Sequence, residues 1–255
     1  LCPACRLPSV RIASGLPCPD CRESLLIAPP ICARCLGLAC PRDECARPWI
    51  RVDGVSGEAR FVSVSAAYLS VGPGAAVLKA WKRSPHPVLA RYLLPEIRAK
   101  IAAFANSASL VLVPVPQSGD RRWDLGGGSV WRLCELILEA RDRRDDLVLD
   151  TLSLHSRRVL EPERTQQAKS RGDERYTRRS AIDTADTAAV PSHLLDRAKA
   201  EPAVLVVDDF LTSGATLRSA VAATRRKFEA SGWFGGRATR IGVFVLGFRP
   251  TLFDG

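Results

Sequence analysis

Methionine is absent from all 255 residues, so the initiator is not part of the sequence and its start at Leu1 carries no weight. Long apolar runs are absent too. None approaches the roughly 18 residues that a membrane-spanning helix needs, and the opening LCPACRLP lacks the basic-then-apolar layout of a signal peptide. These absences lead to the expectation of a soluble, cytoplasmic protein with no membrane insertion. Histidine is scarce: His86 lies between prolines, His155 opens a basic stretch and His193 follows Pro191 and Ser192, and none has an acid or cysteine at ligand spacing. All three are expected at the surface. Aromatics are few at 6%, so Trp81, Trp123, Trp131 and Tyr176, which lie beside basic residues, are read as core or interface groups before base-stacking platforms. A GxxxxGK[ST] loop is missing, which removes the P-loop reading.

What is present excludes disorder across the whole chain. The sequence is 46% hydrophobic and 25% charged, with length for one large domain and an appendage. It is basic, with 37 Lys and Arg against 27 acids and a formal charge of +10. Most of the cations are Arg, which favours planar contacts to phosphate.

Eight of the nine cysteines fall in the first 45 residues, as CPAC (Cys2, Cys5), CPDC (Cys18, Cys21), CARC (Cys32, Cys35), Cys40 and Cys45. A CxxC knuckle lets two thiolates reach one ion at tetrahedral angles, and two knuckles a dozen residues apart complete a four-sulfur site. Cys2, Cys5, Cys18 and Cys21 fit this spacing. Cys32, Cys35, Cys40 and Cys45 form a second set with a tighter loop and a longer last gap, and an interleaved pairing stays open. A disulfide framework or an iron site would use the same residues, and structural Zn2+ is the expected occupant, two ions in all. Four sulfurs close the shell and leave no position for water, so the sites read as structural. A segment this short buries too little apolar surface to fold alone, and metal would supply most of its folding free energy. Two Zn2+ on eight thiolates lower the net charge to about +6. Cys134, in SVWRLCELILEA, reads as a buried residue on a helix.

From about residue 56 the pattern turns to alternating short apolar runs and amphipathic stretches, which argues for an α/β fold. Residues 1–55 are read as a double zinc-ribbon module and 56–255 as the α/β domain. RFVSVSAAYLS alternates like a strand or hairpin, AAVLKAWKRS and HPVLARYLLPEIRAKIAAFA read as helices, and SLVLVPVP as a buried strand. A helix from Val130 to Ala140 follows, with Ser129 at its N-cap, and LVLDTL is a further strand. The segment 155–180 lacks an apolar period and is basic, a length of loop that reads as a lid or as disorder.

Residues 203 to 228, AVLVVDDFLTSGATLRSAVAATRRKF, carry the most chemistry. A buried parallel strand from Val204 to Val207 ends in Asp208 and Asp209. Thr212, Ser213, Gly214, Ala215 and Thr216 then open a helix with the stripe Leu217, Val221, Thr224 and Phe228. Small residues let backbone N–H groups wrap a phosphate, hydroxyls add donors, and the helix N-terminus adds partial positive charge. The acids cannot bind phosphate; they suit hydroxyls or a metal, so the whole reads as a grip on a 5-phosphorylated sugar.

This segment resembles the phosphoribosyl-diphosphate (PRPP) motif of type I phosphoribosyltransferases, two acids and a TxGxT loop after an apolar strand. Together with the cysteine knuckles, VLKAWKRSPHPVLARYLLPEI, and LVPVP followed by Arg121 and Arg122, it is similar to the ComF competence family. The resemblance implies a type I phosphoribosyltransferase-like parallel sheet with flanking helices behind an N-terminal zinc module. It implies that Asp208 and Asp209 are the catalytic, ribose-facing acids and that Thr212 through Thr216 cradle the 5-phosphate. Arg121, Arg122, Arg171 and Arg175 become candidates for the pyrophosphate, and Mg2+ would accompany PRPP. Single-stranded DNA and a DNA-uptake helicase are the partners it implies. The chain departs from the family's GFNQA with GGGSVW, which puts Ser129 and Val130 where Asn and Gln are expected and loses that polar pair.

The reaction implied is attack by an acceptor nitrogen at C1 of PRPP, with Mg2+-pyrophosphate leaving from an oxocarbenium-like state. It needs no protein nucleophile; positioning, charge stabilisation and exclusion of water carry it. The rival reading is a non-catalytic protein that binds single-stranded nucleic acid or docks a partner and retains a sugar-phosphate pocket.

Overall fold

Strand formation follows the apolar runs. The computed structural model describes residues 2, 4–6, 17–32, 36, 38, 51–53, 59–106, 108–116, 128–141, 146–148, 153–154, 182–183, 202–212, 214–230 and 240–250. Ten strands lie among them: β1 (Leu26–Ile27), β2 (Arg51–Asp53), β3 (Ala59–Phe61), β4 (Ser63–Leu69), β5 (Leu110–Pro114), β6 (Leu147–Val148), β7 (Ser153–Leu154), β8 (Ile182–Asp183), β9 (Ala203–Leu211) and β10 (Ile241–Phe248). The helices are α1 (Pro19–Glu23), α2 (Gly74–Arg83), α3 (Pro87–Ala105), α4 (Gly128–Arg141) and α5 (Ala215–Ala230).

Six strands form one sheet in the order β1-β4-β10-β9-β5-β6. The five from β4 to β6 are mutually parallel, and β1 closes one edge antiparallel to β4. β9 is central: Val204 pairs with Val111 on one side and Ile241 on the other. Parallel strands covered on both faces need apolar residues at consecutive positions, which is why AVLVV, LVLV and VFVL read as unbroken runs. Ala203, Leu205, Val207, Leu110, Leu112, Phe244 and Leu246 face α2, α3 and α4, whereas Val204, Val206, Val111, Val113, Val243 and Val245 face α5.

The helix stripes meet those faces. In α3, Leu89, Leu93, Ile97 and Ile101 recur every fourth residue and are all buried. His86 is exposed and caps α3, its Nδ1 accepting from the Val88 N–H at 3.2 Å. The α5 stripe of Leu217, Val221, Thr224 and Phe228 is buried as its spacing predicts. Trp81 is 1% exposed in the α2 core, so it is no stacking platform, and Cys134 is buried in α4.

Three sequence expectations are corrected. β9 does not end before the acids: it runs through Asp208 and Asp209 to Leu211, held by pairing with β10 as far as Phe248. Ser129 is not an N-cap, because α4 starts at Gly128 and encloses it. Of LVLDTL, the first two residues form β6, and 149–152 lie outside the described residues.

Two small antiparallel ribbons complete the described chain. β2 pairs with β3 ahead of β4, across the boundary drawn at residue 55. β7 pairs with β8, so Leu154 and Ile182 bring together the two ends of the basic segment, and β8 packs on α5. Of the N-terminal cysteines, Cys2, Cys18 and Cys21 share a core cluster with Val77, Trp81 and Leu89.

Candidate functional site

The chain order of the strands creates a crevice. β5 connects through α4 to β6 on one side, whereas β9 connects through α5 to β10 on the other. The two connections diverge at the β5–β9 pair, with α4 and α5 on opposite faces. In open α/β sheets, ligands bind outside the carboxyl ends of strands at such a switch point. Here those ends are Pro114 on β5 and Asp208 to Leu211 on β9.

Asp208 is half-buried, and its Oδ1 accepts the Asp209 backbone N–H at 2.8 Å. Asp209 is 2% exposed. Its Oδ1 accepts from Lys82 Nζ at 2.7 Å and its Oδ2 from Ser129 Oγ at 2.8 Å. The ammonium also lies 5.2 Å from the centroid of the Phe210 ring. Burial, and then the charge of Asp209 beside it, push the Asp208 carboxyl up to about 8 against the opposing pull of Lys82. The strand thus presents one acid locked to α2 and α4 and, beside it, a half-buried acid bonded to the next backbone N–H.

Beyond the acids, Thr212 is exposed and Gly214 is buried with φ +73°, the left-handed region that glycine enters without a Cβ clash. That turn drops the chain directly into α5, where Gly214 O accepts from Arg218 N at 2.9 Å and Thr216 is exposed in the first turn. No acidic residue occupies the first turn of α5, so the partial positive charge of its N-terminus is not cancelled locally. Ser213 and the side chain of Ala215 lie outside the described residues, as do Arg121, Arg122, Arg171 and Arg175.

Sequence reasoning missed Lys82 and assigned Ser129 wrongly. No signal in the sequence sets Lys82 apart from Lys79 and Arg83 on the same amphipathic helix.

A second constellation lies at the N-terminus. The Sγ atoms of Cys2, Cys5, Cys18 and Cys21 are all within 4.8 Å of one another, and all four are free thiols. Cys5 Sγ and Cys18 Sγ are 3.8 Å apart, the edge of a tetrahedron with metal–sulfur bonds of about 2.3 Å. Such a cluster can hold a metal ion. Burial disfavours the Cys2 thiolate, but amide donors from Cys18, Cys5 and Ala4 outweigh it and bring the thiol down to about 6. Burial and the neighbouring thiols push Cys21 up. Cys18 N–H donates to Cys2 Sγ at 3.2 Å.

The first knuckle closes with Arg6 at φ +63° and Arg6 N–H donating to Cys2 O at 2.9 Å. The third CxxC repeats that turn: Leu36 sits at φ +60° and donates to Cys32 O at 2.9 Å. Cys32 is buried, while Cys35, Cys40 and Cys45 lie outside the described residues. No described helix is long and apolar enough to cross a membrane. Compared with protein-family models and with curated proteins, the chain matches none.

Proposed function

We propose that the crevice binds PRPP with Mg2+ and that the protein is a phosphoribosyltransferase-like member of the ComF type. One observation carries the reading: an acid pair and a short turn through Gly214 join the central parallel strand to a 16-residue helix at the switch point. Asp208, the half-buried acid of the pair, takes the ribose hydroxyls, and Thr212 to Thr216 surround the 5-phosphate. The basic segment that starts and ends at the β7–β8 ribbon serves as the lid. Arg121, Arg122, Arg171 and Arg175 are the pyrophosphate contacts in this reading. The four-cysteine cluster holds structural Zn2+, whose four-sulfur shell leaves the ion no part in the chemistry.

The test is calorimetric titration of the metal-loaded protein with PRPP and Mg2+, followed by assay of the mixture for released pyrophosphate. Binding with turnover establishes an enzyme. Binding without turnover favours the ligand-gated reading, in which the pocket serves nucleic acid or a partner, and no binding overturns the proposal.

A further inference from the structure

Lys82 is the described cation placed at the acid pair, and its surroundings suit a second task. It stands in the last turn of α2, where the negative end of the helix dipole favours an ammonium. Its side chain is 35% exposed, whereas that of the Asp209 it binds is 3% exposed. The lysine therefore reaches down from solvent onto a carboxylate that is fixed, because Ser129 holds the other oxygen. An ammonium has three donors, and among the described residues Lys82 makes one hydrogen bond, to Asp209. Phosphoryl-transfer enzymes use the same device, a lysine held by a carboxylate so that its remaining donors meet phosphate.

The surrounding field points the same way. Ser129 belongs to the first turn of α4, a 14-residue helix with no acid in that turn. The positive end of α4 and the Lys82 ammonium thus converge on the single carboxylate of Asp209. The turn through Gly214 and the start of α5 lie at the other face of the sheet. The crevice accordingly has an anion-attracting group on each side of β9, one made of backbone and hydroxyls and one made of Lys82 and the α4 terminus.

We propose that Lys82 is an anion-binding residue for the diphosphate end of the ligand, held in position by Asp209, which is an anchor and not a sugar contact. The identity of the sugar rests on the PRPP reading; the anion site does not. Three probes separate them by calorimetry on the full, metal-loaded chain: PRPP with Mg2+, ribose 5-phosphate, and pyrophosphate with Mg2+. Lys82→Gln leaves a buried carboxylate without its cation, so the double variant Lys82→Gln/Asp209→Asn accompanies it, with Lys82→Arg as the charge-conserving control.

The double variant is expected to lose about tenfold or more in affinity for PRPP and for pyrophosphate, the scale of one charge-assisted hydrogen bond. Its affinity for ribose 5-phosphate is expected to stay within about threefold, and Lys82→Arg to recover most of the loss. In the unaltered chain, pyrophosphate should slow acetylation of Lys82 by acetic anhydride, read by peptide mass spectrometry, and ribose 5-phosphate should not. Equal losses for all three probes, or unchanged pyrophosphate affinity and no protection, overturn the role of Lys82 and leave the PRPP reading standing. Pyrophosphate binding that depends on Lys82 without any PRPP binding overturns the sugar and keeps the anion site. A chain that binds neither overturns both.

Discussion

Ser129 Oγ donates to Asp209 Oδ2 at 2.8 Å, tying the first turn of α4 to the carboxyl end of β9 across 80 residues of sequence. With Lys82 on the other oxygen, three elements meet on one buried carboxylate. The consequence is an asymmetric acid pair, with Asp209 fully buried against α2 and α4 and Asp208 half-buried beside it.

Ser129→Ala removes a donor from a buried, charged acceptor and leaves a methyl in its place. A loss of about 1–3 kcal/mol in unfolding free energy is expected from urea denaturation. A loss within error would mean that Asp209 finds a replacement partner.

Asp208 gives a pH signature. Its carboxyl is raised from 3.8 to about 8 in the folded chain, so between those values the folded state holds a proton that the unfolded state has released. Stability from this group is therefore complete below about pH 4, falls as pH rises, and is gone above about pH 8. Asp208→Asn cannot ionise and lacks that slope. Melting temperatures of both proteins from about pH 5 to pH 9 should show wild type losing ground to the variant, and a constant difference would refute it.

Metal removal should reach the crevice. Cys2, Cys18 and Cys21 share a core with Trp81, next in sequence to Lys82. Cys21→Ser, or prolonged chelation, is expected to release the ion of this cluster, lower the melting temperature markedly and weaken phosphate-ligand affinity. Elemental analysis alongside calorimetry reads both effects. Unaltered affinity in the metal-free chain would uncouple the two sites.

Gly74 marks where the knuckle meets α2. A Cβ built there would stand 2.5 Å from the Ser24 carbonyl oxygen, a backbone atom that cannot swing aside. Gly74→Ala is expected to cost about 1–3 kcal/mol by overpacking and to speed loss of metal to a chelator. A variant as stable as wild type with unchanged metal retention would show that α1 yields freely.

Much of the architecture is written in local pattern. The unbroken apolar runs of β5, β9 and β10 announce a sheet covered on both faces, and the four-residue recurrence in α3 and α5 announces helices, because burial selects residues at the period of the element. The paired CxxC spacing announces the four-sulfur cluster, since two thiolates on one knuckle have few ways to reach an ion. The acids, the small residues and Gly214 were legible as a strand–turn–helix unit because they are contiguous and the turn needs a residue free to take a positive φ.

The ends of β9 and the duties of its acids were not legible. Whether Asp208 and Asp209 closed the strand depended on β10, whose Phe248 pairs with Leu211 and keeps the strand extended past both carboxylates. Which acid is locked to the helices depended on Lys82 and Ser129, separated from Asp209 by 127 and 80 residues. Neither residue has a neighbour in sequence that marks it. Composition and spacing set which elements form, because those preferences act within a few residues. The pairing of a buried charge is settled by how helices cross the sheet, because a carboxylate removed from water must take whatever donors the packed fold brings within reach.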